Sequence, residues 1–300
     1  MKKSNDSLVK MLLLCLVCTL LWGAGYPILK MSYAYWGVGG TNIPGKLFYA
    51  SLRFLPAGFI LLGIASLKQK KLAFPDKKAL PWVALLGLCQ TALQYGLLYI
   101  GQAYTDSSKS SVLNQVCIFL MVLLTPVFFK NEKLTPRKLL GCAAGFAGIV
   151  VMKFSGQDLK AEIGDMIVIA SSCCATAGYL ISKGMPGKSD ALTSTAWQQI
   201  FGGVILLILG VATGGKLSEP SMEGWLCLVF QVAAAAITYS LWFYLLKTFD
   251  ASAVSISKFM TPVFGVLFSG LLGEQIFTPT NMIALALVCA GVVVVNLKRK

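Results

Sequence analysis

Apolar residues run along this chain in ten stretches separated by short polar or basic segments: 11–29, 47–67, 80–104, 110–129, 139–152, 166–182, 191–215, 224–246, 251–273 and 275–297. A helix needs roughly 20 such residues to cross the hydrocarbon core of a bilayer. The pattern therefore predicts an all-α integral membrane protein with ten transmembrane helices. The first run follows Lys2, Lys3 and Lys10, is too long for a signal-peptide core and has no small-x-small cleavage pattern after it, so it reads as a span. The fifth run is only about 14 residues long, but Lys138 and Lys153 at its ends can extend their stems to the interface.

Composition agrees with the pattern and removes most other classes. Hydrophobic residues make up 56% of the 300 and charged residues 13%, with a mean hydropathy of +0.74. A soluble chain carries roughly 25% charged residues. Ten spans leave no room for a soluble catalytic domain.

The net charge of +14 does not indicate nucleic acid as a partner, because the basic residues sit in short loops that cannot track a phosphate backbone. Their placement follows topology instead. Eighteen Lys and Arg fall on loops sharing the side of the N-terminus and six on the other side, so both termini are predicted to be cytoplasmic, in a plasma membrane of the bacterial inner-membrane type.

With no histidine in the chain, the commonest general base and the usual zinc and iron ligands are missing. The nine cysteines all fall in apolar runs and read as packing residues. Cys15 and Cys18 have CxxC spacing without a second such pair, so neither a metal nor a cofactor is expected. No GxxxxGK[ST] loop occurs, which excludes ATP as the direct energy source.

The chain repeats itself. Ala24-Gly25-Tyr26-Pro27-Ile28-Leu29-Lys30 in span 1 matches Ala177-Gly178-Tyr179-Leu180-Ile181-Ser182-Lys183 in span 6, with five identities in seven positions. Gly58-Phe59-Ile60-Leu61-Leu62 aligns with Gly203-Val204-Ile205-Leu206-Leu207, which sets Arg53 opposite Gln198. Tyr95 and Asp106 match Tyr239 and Asp250, and the same offset sets Asn114 opposite Lys258.

Glu132 before Thr135-Pro136 matches Glu274 before Thr278-Pro279, and Gly148 and Gly291 follow at equal distances. Five spans per unit is an odd number, so the halves, 1–155 and 156–300, are predicted to face opposite ways. Two inverted five-helix repeats offer two packings of similar energy, the physical basis of alternating access.

These motifs resemble the drug/metabolite transporter superfamily, and within it the EamA-type family, over nearly the whole chain. The resembling residues are Leu21-Trp22-Gly23, Arg53-Phe54 with Ala57-Gly58, Phe259 to Gly265 around Pro262, Gly273-Glu274, Thr278-Pro279 and Ala290-Gly291. One departure is that the first half has no proline matching Pro262; its Pro126 lies further along span 4. The resemblance implies export or exchange of small metabolites through a central cavity lined by spans 1–4 and 6–9.

Arg53 and Lys258 are the only charges within the runs, about 10 and 12 Å deep at 1.5 Å per residue. A charge at a span centre costs at least about 2.5 kcal/mol, so both should face the bundle interior. Gln198 and Asn114 complete a polar belt at the equivalent positions. Trp22, Tyr26, Tyr179, Tyr239 and Trp242 offer aromatic faces to an organic solute, and Gln94 shares a helix face with Gln90.

All twelve acidic residues lie in tails, loops or span ends, which leaves the cavity positive and suited to a small-molecule substrate bearing a carboxylate, such as an amino acid. Glu132, Pro262 and Glu274 read as structural, the two carboxylates at turns whose Thr-Pro begins the next helix. Gly141, Gly145 and Gly148 admit close approach of a helix from the same protomer or from a second one, so a homodimer stays open. A lipid-modifying enzyme would need clustered carboxylates or histidine, and a channel a re-entrant filter or a ring of like side chains.

Overall fold

The computed structural model describes residues 2–105, 110, 113–153, 163–187, 189–271 and 279–296. Among these residues no strand occurs. The elements are α1 (Lys2–Tyr35), α2 (Ile43–Gln69), α3 (Leu80–Gly101), α4 (Val116–Phe128), α5 (Pro136–Lys153) and α6 (Ile163–Gly184). There follow α7 (Ala191–Ala212), α8 (Met222–Thr248), α9 (Ala251–Ser257), α10 (Met260–Leu271) and α11 (Pro279–Asn296).

Seven stretches are long and apolar enough to cross a membrane: Ser7–Tyr35, α2, α3, α6, α7, α8, and Ala251–Phe268, which runs through α9 into α10. Val116–Phe128 and Leu285–Val295 are apolar but shorter. Of the ten spans expected, seven are long and apolar enough by themselves among the described residues. The fourth run loses length to a turn at Asn114–Gln115, and α5, at 18 residues, carries Arg137, Lys138 and Lys153.

Helix starts follow their cap residues. The side chains of Asn42, Asp190 and Asp250 accept the backbone N–H of Gly45, Thr193 and Ala253 at 2.9, 2.8 and 2.9 Å. Each satisfies one of the N–H groups a helix start leaves unpaired.

Two departures from regular helix matter for the site. Leu88–Leu93 in α3 is a π-helical segment containing Gln90. The 251–273 run breaks at Lys258–Phe259, where the N–H groups of Lys258, Phe259 and Thr261 reach back three residues to Ser255, Ile256 and Lys258 at 3.0, 3.1 and 2.9 Å. Pro262 falls in the first turn of α10, where its missing N–H costs no helical bond. In the first half the matching break is the Asn114–Gln115 turn, made without a proline, while Pro126 lies near the end of α4.

Helices α1 and α8 pack together, as do α3 and α6. Further pairs are α1 with α10, α4 with α6, α2 with α8, α3 with α7, α2 with α7, α5 with α11, and α4 with α9. At the α5–α11 crossing a Cβ on Gly291 would lie 2.5 Å from the Gly141 carbonyl oxygen and 2.8 Å from the Gly145 nitrogen. Only glycine allows that approach, and Gly141 and Gly145 of the α5 stripe are used within one protomer.

The bundle has two ends. Lys10 bonds Tyr244 near the close of α8, and Val9 and Leu13 line one groove with Val293, so α1 begins and α11 finishes at one end, here called basal. Trp36 donates to the Gly224 carbonyl at 3.1 Å at the opposite, apical end.

Candidate functional site

The two broken runs and the α3 π turn bring polar groups to the middle of a largely apolar bundle. There a cavity of about 120 Å³ opens between α1, α2, α3, α6 and α8, the Asn114–Gln115 turn and the α9–α10 junction. Its wall includes Trp22 and Tyr26 from α1, Arg53 from α2, Gln94, Tyr95 and Tyr99 from α3, Tyr179 from α6, and Gln231 and Tyr239 from α8. Asn114, Gln115, Lys258 and Thr261 come from the two breaks. Tyr26 keeps 47% of its surface accessible although Gly23 and Gly25, beside it on α1, pack on α10 and α8.

The two cations sit in this wall without a fixed counter-charge, since no Asp or Glu lines the cavity among the described residues. Arg53 is buried with its guanidinium carbon 4.9 Å from the Phe54 ring centroid and 5.5 Å from that of Tyr95, and its Nε has no hydrogen-bond partner. Lys258 donates to the Tyr179 hydroxyl at 2.7 Å, and its Nζ lies 5.3 Å from the Trp22 ring centroid. Aromatic faces lower the cost of a buried cation but do not neutralise it. Asn114 Oδ1 and Gln115 Oε1 are buried acceptors with no partner. The arrangement can hold an anionic group near the two cations, with hydrogen-bond donors seated against the two amides.

On the basal side the cavity ends on a layer of rings. Trp22 stands edge-on to Trp242 at 5.0 Å and to Tyr239 at 6.0 Å, and Tyr179 lies 6.2 Å from Trp242. The Tyr95 and Tyr239 hydroxyls meet at 2.8 Å.

Beyond the rings, at the basal end, lies a charged cluster. Lys183 Nζ is 2.7 Å from Glu132 Oε1, and Lys138 Nζ is 2.6 Å from Asp250 Oδ2. Glu132 also accepts the N–H of Ala251 at 2.7 Å and of Ser252 at 3.4 Å, while Lys183 donates to the carbonyls of Leu246 and Phe249.

The sequence-predicted residues Trp22, Tyr26, Arg53, Gln94, Asn114, Tyr179, Tyr239 and Lys258 thus come together at one cavity. Two do not reach its wall. Gln198 is fully buried between α7 and α3, where it donates to the Thr91 hydroxyl, because its face of α7 turns toward α3. Trp242 is equally buried, behind Trp22. Glu132 does sit at the turn before Thr135-Pro136, yet its carboxylate spans to α6 and α9. Glu274 lies outside the described residues.

Tyr95, Tyr99, Gln115, Gln231 and Thr261 were not anticipated. The repeat carried a signal for Tyr95, the match of Tyr239; the others have no charge to mark them.

The model of the EamA-like transporter family matches residues 9–154 and again residues 162–297. The chain belongs to the EamA-like transporter family. It is accordingly a multi-pass membrane transporter of the drug/metabolite type.

This EamA-like protein is 26% identical to the uncharacterized transporter YoaV of Bacillus subtilis, over 95% of this chain and 96% of that one. It is 24% identical to the uncharacterized inner membrane transporter YedA of Escherichia coli, over 93% and 88%. A crystal structure superposes on the EamA-like chain with a TM-score of 0.78 at 17% identity, covering 96% of this chain and 97% of the other, which shows a shared fold.

Proposed function

We propose that this transporter carries a small organic carboxylate, an amino acid or a related acid, by alternating access of two inverted five-helix halves, 1–155 and 156–300. The observation that carries the substrate class is the pairing of Arg53 and Lys258 in one cavity whose described wall holds no carboxylate. Two uncompensated cations in a site of low dielectric favour an anion that enters and supplies the missing charge.

The ten-span inverted architecture draws support from the packing. Exchanging α1 with α6, α2 with α7, α3 with α8, α4 with the α9–α10 run and α5 with α11 turns each helix pair named above into another of the set or into itself. Two separate family matches, one per half, support the same division. An excess of basic loops on the side of the termini supports a cytoplasmic location for both, in a bacterial inner membrane.

Proteoliposomes offered a panel of amino acids, carboxylates and organic cations, with and without an imposed pH gradient, test the reading. Saturable flux of the acids and none of the cations is the expected result; flux of cations alone would refute it. A cysteine introduced at position 114 should label from one side or the other according to substrate. Those at 53 and 258, which each remove a substrate-holding charge, should label from both sides whether or not substrate is added, and one at 198, buried against Thr91, should label from neither.

A further inference from the structure

Glu132 lies in the first half of the sequence, yet the groups holding its carboxylate all belong to the second: Lys183 on α6 and the N–H groups of Ala251 and Ser252 at the start of α9. Lys138 and Asp250 repeat the crossing alongside. The cluster therefore ties the α4–α5 turn and the start of α5 to the ends of α6 and α8 and the start of α9, across the basal end below the ring layer.

We propose that Glu132 is a positioning residue of the transport cycle: a latch that holds the basal mouth closed, whose release frees α9 and opens the cavity to that side. This rests on the alternating-access reading and assigns Glu132 no contact with cargo.

Three observations carry it. Glu132 is 8% exposed, and its charge is balanced only while the two halves meet, so separating them must give it water instead. A mouth that opens to solvent provides that water, so the carboxylate has a satisfied arrangement in both positions.

Next, α9 is a single rigid piece of seven residues, about 10 Å long at 1.5 Å per residue, with the latch at one end and Lys258 directly after the other. Displacement of Ala251 is therefore passed to the cavity cation. Finally, the repeat register sets Lys30 where the other half has Lys183, and Glu274 where it has Glu132. Each half thus carries a turn carboxylate and a first-helix lysine at matching positions, as a pairing that crosses between the halves requires and a purely local turn does not.

The test uses the full chain in proteoliposomes of known orientation. Asn114→Cys serves as the reporter, and its labelling by a membrane-impermeant thiol reagent is read as the excess over the same protein without it. Binding and flux are measured without the reporter.

Glu132→Gln and, separately, Lys183→Gln are expected to raise basal-side labelling at least threefold and lower apical-side labelling. Equilibrium affinity for the amino acid or carboxylate that gives saturable flux in the panel above should stay within about twofold while its maximal exchange rate falls. Glu132→Asp, which keeps the charge, should stay near the native pattern.

Unchanged labelling from both sides in whichever of the two glutamine variants folds, even with a lower melting temperature, would make Glu132 a structural turn residue and overturn the latch. An Asn114→Cys protein with Glu132 and Lys183 intact that never labels from the basal side, with or without substrate, would instead overturn alternating access.

Discussion

Arg53→Gln is expected to lower the affinity for carboxylate substrates by about ten- to a hundredfold while leaving the melting temperature of the purified protein unchanged or higher. The two directions share one cause. The guanidinium is buried, its Nε has no partner among the protein's own groups, and no acidic side chain of the described wall compensates it. Removing an uncompensated buried charge relieves the protein of a desolvation cost.

On the proposed reading, a bound carboxylate would accept charge-assisted hydrogen bonds from the same group worth about 1.5–3 kcal/mol each, and each 1.4 kcal/mol is about a factor of ten in binding. Arg53→Lys should restore only part of the loss, because an ammonium does not offer the flat, two-pronged donor set of guanidinium. Binding by calorimetry and melting in detergent, taken together, decide the matter. A variant that melts earlier and binds normally would make Arg53 a packing residue.

Gly291→Leu is expected to produce the largest loss of stability of any single change at the helix crossings described. A Cβ there would meet the Gly141 carbonyl oxygen at 2.5 Å and the Gly145 nitrogen at 2.8 Å, and backbone cannot swing away as a flexible side chain can. Overpacking costs about 1–3 kcal/mol where neighbours adjust, and this site belongs at or above the top of that range. Ala147→Leu, on the exposed face of α5, provides the control and should change stability by less than about 0.5 kcal/mol. Equal melting temperatures for the two variants would contradict the crossing.

Arg53, Lys258 and Asn114 were legible in the sequence because a polar group deep in an apolar run has few options besides the bundle interior. Depth is what such a pattern encodes, and direction around the helix is not. Gln198 lies at the right depth for the cavity but faces α3, and Trp242 lies one layer behind Trp22. Tyr99, Gln231 and Thr261 reach the wall through the way helices are rotated against one another, which is settled by packing across the whole bundle.

The breaks were half legible. Pro262, read only as structural, stands in the helical turn that follows the break in the second half, whereas the Asn114–Gln115 turn has no residue that dictates it locally. The reach of Glu132 to α9 spans 119 positions of sequence, so it stayed hidden until the fold brought the two together.

The position of Trp22 has a practical consequence. Its indole stands between the Lys258 ammonium, 5.3 Å from the ring, and Trp242, 5.0 Å away, at the floor of the space a solute would enter. An arriving anion alters the electric field at that ring, so emission should shift in colour and intensity upon occupancy and lose the shift in Trp22→Phe. The carrier would then report its own loading optically, with no dye attached.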